Sequence, residues 1–144
     1  MRSLLALIIL LMAGGAAAAP LFDDDAVIDI TLRGPIATLF SDKLDRREHA
    51  FSLVLEGAEY PVEARLRGNS RLRVCKFYPI RLNLDENNYT ATVFAGQDKL
   101  KLVTHCRNYD QGEQDLLEEY LAYRIFNAIT NMSYRARLLR ITYE

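Results

Sequence analysis

The chain of 144 residues has only two cysteines and two histidines, and its 18 lysines and arginines nearly cancel its 19 acids. Each scarcity removes a class of function. A formal charge of -1 offers no bulk attraction for nucleic acid. No Cys-x-x-Cys pair occurs, which argues against a disulfide-exchange protein and against the common zinc sites. His49 and His105 lie in polar contexts without an evident partner, and His105 adjoins Cys106, so alternation along a strand would turn those two side chains apart. Serine, cysteine and glycosidase mechanisms therefore find little support. A metal set of Cys75, Cys106 and His105 is weak for the same reasons. The sequence has no internal repeat, no low-complexity segment and no long apolar strand of the kind that a doubly covered parallel sheet needs. Half of its residues are nonetheless apolar, which suits one ordinary globular domain.

The apolar run at residues 4–12 is too short to span a bilayer, which takes roughly 20 residues. It follows a basic head containing Arg2 and leads through Gly14 and Gly15 into Ala16, Ala17, Ala18 and Ala19. This is the pattern of a cleavable secretory signal over residues 1–19, with Pro20 favouring a cut after Ala18. An uncleaved anchor is the alternative. Cleavage would leave no membrane segment and a secreted or periplasmic protein. In such a compartment Cys75 and Cys106 are expected to form a disulfide, closing a loop of about 31 residues for roughly 3–4 kcal/mol. Two buried free thiols on neighbouring strands remain the other reading.

Residues 20–26 read as a solvated acidic lead-in, and residues 27–144 as a single domain. Ile28, Ile30 and Leu32 alternate with polar neighbours as a strand, stopped by Gly34-Pro35, and a short helix follows to Lys43. Phe51 to Leu55 and Tyr60 to Leu66 form a hairpin about Glu56-Gly57. Ile80, Leu82 and Leu84 mark another strand, and Leu100 and Leu102 the next. Past a polar joint the period becomes 3.6: Leu117, Leu121, Ile125 and Ala128 form one stripe, widened by Leu116, Tyr120 and Tyr123, which predicts a helix lying against the sheet. Asp110 or Asp115 could cap its start. Ser133 to Tyr143 reads as a last strand, with Leu139, Ile141 and Tyr143 on one face. The expected fold class is α+β, an antiparallel sheet of about five strands packed on one long helix.

Charge is uneven along the chain. Arg65, Arg67, Arg71, Arg73, Lys76 and Arg81 follow one another without an acid, while acids gather at residues 23–25 and 113–119. That pattern points to an anionic ligand or to an internal ion-pair network.

The motif Arg65-Leu66-Arg67-Gly68-Asn69-Ser70, followed by Lys76-Phe77-Tyr78-Pro79-Ile80-Arg81-Leu82, resembles the N-terminal region of the spore-coat CotH kinase-like family, in particular an exported bacterial branch. The resemblance covers most of residues 60–144. It implies the N-lobe of an atypical kinase, with ATP and Mg2+ as cofactors and phosphate transfer to protein hydroxyls as the activity. In kinase-like lobes a strand lysine is held by a helix glutamate. The strand cations are Lys76, Arg81 and Lys101, the helix acids Glu118 and Glu119, and Lys76 with Glu119 is the expected pair. The turn Arg67, Gly68, Asn69, Ser70 would cover the phosphates as a backbone nest. No His-Arg-Asp or Asp-Phe-Gly loop occurs, so no catalytic residue is assigned, and the domain reads as incomplete at its C-terminal end, inactive without a second lobe. The alternative is a non-catalytic exported module that binds a protein or envelope component.

Overall fold

A computed structural model describes residues 21–107 and 109–144, so the signal reading for residues 1–19 lies outside it. Six strands form one curled, mixed sheet: β1 (Ile28–Arg33), β2 (His49–Leu55), β3 (Ala58–Leu66), β4 (Ile80–Leu84), β5 (Lys99–Leu102) and β6 (Leu139–Tyr143). Their order across the sheet is β5-β4-β3-β2-β1-β6. The helices are α1 (Ile36–Ser41), α2 (Arg71–Val74) and α3 (Asp110–Ile129). The α+β class stands. The expected sheet of about five antiparallel strands does not, because β6 adds a sixth strand, parallel to β1, with Ile28 opposite Leu139 and Leu32 opposite Tyr143. Between β5 and β6 the chain passes from one edge of the sheet to the other, and a parallel neighbour is reached only by a long crossover. Helix α3 is that crossover.

Alternation builds the core. Leu53, Ala64, Leu66, Ile80 and Leu82 are fully buried on one face of the sheet, while Glu63, Arg65, Arg81 and Asn83 stand on the other. Leu39 of α1, Leu72 of α2, and Tyr89 and Phe94 from the β4–β5 connection join the same buried cluster. Residues 71–74 are the short helix α2, and residues 89–94 form turns. The lead-in is held down: Leu21 is buried, and Arg137 donates to the carbonyls of Leu21 (2.9 Å) and Ala26 (2.8 Å).

The long helix departs furthest from expectation. Its predicted stripe faces solvent, with Leu121 56% and Ile125 61% exposed. Leu116, Tyr120 and Tyr123 face the body instead. At 3.6 residues per turn the two sets are centred about 130° apart around the helix. Two causes combine. The helix carries apolar residues on both sides, so periodicity alone selects neither, and the inner face of the sheet is already covered by α1, α2 and the β4–β5 connection. Among the described residues no side chain caps its start; Tyr109 is the N-cap residue, and Asp110 lies in the first turn.

Candidate functional site

Where α3 bridges the two sheet edges it leaves a cleft of about 800 Å³ between itself, β5, the approach to β6 and the turn after β3. Gly68 shapes that turn with a φ of 90°, a left-handed conformation that favours glycine. The backbone N–H of Arg67 donates to the Pro79 carbonyl (3.0 Å), and Asn69 Oδ1 accepts from Arg46 Nη2 (3.0 Å). Ser70 then leads into α2, whose end is joined to the root of α3 by the Cys75–Cys106 disulfide, with Cα atoms 4.5 Å apart. The N–H of Lys76 adds a bond to the Cys106 carbonyl (2.9 Å). Gly112, the one buried residue in the described part of α3, sits so close to the Arg107 carbonyl that a Cβ would collide with it. The root of the helix is thereby fixed on both sides.

The lining of the cleft is rich in cations. Arg67, Arg71, Lys99, Lys101, Arg135 and Arg137 line it against a single acid, Glu119. Three tyrosines, Tyr120, Tyr123 and Tyr134, supply aromatic wall. Glu119 Oε2 accepts a hydrogen bond of 2.7 Å from Arg71 Nη2. Lys101 Nζ lies 4.7 Å from the centre of the Tyr134 ring, a cation–π contact. Three of the lining cations are paired with acids at the margin of the cleft: Lys99 with Asp98, Arg135 with Asp23 and Arg137 with Asp24, and Arg135 also donates to the Phe22 carbonyl. Arg67 has no ion-pair partner among the described residues.

Six of the residues singled out from sequence converge here: Arg67, Gly68, Asn69, Ser70, Lys101 and Glu119. Two do not. Arg81 lies on the outer face of β4, 2.7 Å from Glu48 Oε1, and its hydrogen bond is the largest influence holding the Glu48 carboxyl below the usual carboxylate range. Strand alternation puts it there, because its neighbours Ile80 and Leu82 take the core side. Lys76 sits beyond the disulfide in a small hollow with Val74, Arg107 and Tyr109. The expected Lys76–Glu119 pair is therefore replaced by Arg71–Glu119. Sequence reasoning also missed Tyr134, Arg135 and Arg137. The only available signal was their place just before a strand that returns to the sheet, and the partner of that strand was unknown.

A second polar cluster stabilises the α1–β2 loop. Asp42, 8% exposed, accepts from the Arg47 backbone (3.1 Å) and Nε (3.3 Å) and lies 3.1 Å from His49 Nε2. Burial raises its pKa, but the bonds to His49 and Arg47 outweigh that and leave it below the ordinary value. His49 thus has the partner that its sequence context did not reveal. His105 stacks on Phe77 at 6.2 Å.

No family model matches this chain, and no curated protein or solved structure does so either.

Proposed function

We propose that the cleft under α3 binds an anionic ligand through its phosphates, and that the chain is an exported CotH kinase-like lobe whose ligand is ATP. One observation carries this reading: Arg67, Arg71 and Lys101 line one concave site beside three tyrosine rings, of a size that suits a small ligand, while the other lining cations are paired, Lys99 with Asp98, Arg135 with Asp23 and Arg137 with Asp24. Arginines present paired donors that suit phosphate oxygens. Arg67, Arg71 and Lys101 would hold phosphates, and the tyrosines would stack against a base. The single lining carboxylate is engaged by Arg71, so these residues suit the phosphates and not a protein-held Mg2+. The metal would travel on the nucleotide. The disulfide accords with an oxidising compartment. No phosphate transfer is assigned to this chain alone.

Calorimetric titration of ATP, with and without magnesium, tests the reading. Saturable binding that Arg67→Ala abolishes and Lys76→Ala leaves intact is the expected result. Absence of binding at millimolar nucleotide, with the protein folded, would overturn it.

The second reading, a non-catalytic module that docks on a protein partner, is favoured by the uncovered stripe Leu117, Leu121, Ile125 and Ile129. No helix among the described residues is long and apolar enough to cross a membrane.

A further inference from the structure

Glu119 occupies an unexpected place for a site that would bind an anion. It is the only carboxylate among the lining residues, and it points at Arg71, which immediately follows the Gly68–Ser70 turn. From these positions we infer that Glu119 is a built-in competitor for the anion, and that Arg71 is the guanidinium for which they compete. This rests on the phosphate reading of the cleft. A resident carboxylate on Arg71 imitates the ligand, so the protein itself occupies one cation of the cleft.

The geometry makes the exchange easy. One hydrogen bond of 2.7 Å joins the pair, from Nη2 to Oε2, so the other N–H groups of the guanidinium stay free for a second acceptor. A two-point grip, the strong form of this interaction, is absent. Both side chains are partly in water, Arg71 40% and Glu119 34% exposed, and such pairs contribute little net stability. A phosphate brings more charge than one carboxylate and meets Arg67 and Lys101 in the same cleft. Glu119 then swings to solvent from its place midway along α3. The disulfide and the Gly112 contact hold the helix root in place, so the exchange needs no movement of the backbone.

The competing expectation has the opposite sign. A helix glutamate that positions a phosphate-binding cation is required for binding, and its loss weakens the complex. A competitor's loss strengthens it. Glu119→Gln keeps the shape and removes the charge, so it separates the two.

The test is titration of the whole chain with ATP and, separately, inorganic pyrophosphate, in wild type, Glu119→Gln, Arg71→Ala and the double variant, each first checked by thermal unfolding. Pyrophosphate distinguishes a phosphate subsite from one that needs the base. In the expected result Glu119→Gln tightens binding by about 3- to 5-fold, as an exposed pair of this kind allows. Arg71→Ala weakens it, and Glu119→Gln gives no gain on the Arg71→Ala background. Should wild type bind while Glu119→Gln binds equally or more weakly, the competition is refuted and the cleft reading survives. An equal gain without Arg71 refutes it too. If no variant binds either anion, the cleft reading falls and takes this inference with it.

Discussion

Replacing Leu121 with glutamate puts the orientation of α3 to a direct test. In the structure Leu121 is 56% exposed, and its stripe neighbours Leu117, Ile125 and Ile129 are exposed as well. Leucine and glutamate have similar helix propensities, so the change should alter stability by less than about 0.5 kcal/mol. Had the stripe lain against the sheet, the same substitution would bury an unpaired carboxylate and empty a core position, at about 3 kcal/mol or more. For a domain of this size 1 kcal/mol corresponds to roughly 4 °C in Tm, so the two arrangements differ by about 10 °C. Leu39→Ala serves as the positive control, since Leu39 is fully buried and its truncation should cost about 2–5 kcal/mol. Thermal and urea unfolding followed by circular dichroism would measure all three proteins. A loss above about 2 kcal/mol for Leu121→Glu would refute the outward-facing stripe.

Two further outcomes follow from local structure. The Cys75→Ser, Cys106→Ser double variant frees a loop spanning 31 positions, and the chain-entropy model puts the loss near 3.7 kcal/mol, or roughly 15 °C in Tm; a Tm within a few degrees of wild type would show that the bond constrains little. Asp42 titrates below the ordinary value of 3.8 because its bonds to His49 and Arg47 outweigh the cost of burial. A carboxyl depressed in this way stabilises the fold above its unfolded pKa, and the contribution is lost as pH falls through the folded one. Asp42→Asn should therefore destabilise the protein at neutral pH and lose that disadvantage under acid conditions, as urea titrations across the acid range would reveal; a gap that does not narrow would sink the assignment.

Local pattern was a good guide where one strand and its own turn decide the outcome. The β2–β3 hairpin forms about Glu56-Gly57, β4 alternates as Ile80, Leu82 and Leu84 require, and Cys75 meets Cys106. The turn at residues 67–70 was legible because glycine and short polar side chains sit together there, and Gly68 takes a φ of 90°. Arg81 was sortable by alternation, since Ile80 and Leu82 take the core side; Lys76 was not, because sequence does not say on which side of the disulfide it lies.

What the chain alone determined is therefore the α+β class, the alternating strands and the long helix, all consequences of periods of two and 3.6 residues. Tertiary structure decided the rest. The parallel pairing of β6 with β1 depends on residues more than 100 positions apart, which no local periodicity encodes. The face that α3 turns inward depends on what already covers the sheet, because a helix that is apolar on two sides has no preference of its own. The partner of Glu119 depends on both: once the crossover sets α3 over the β3–α2 turn, Arg71 is the cation within reach.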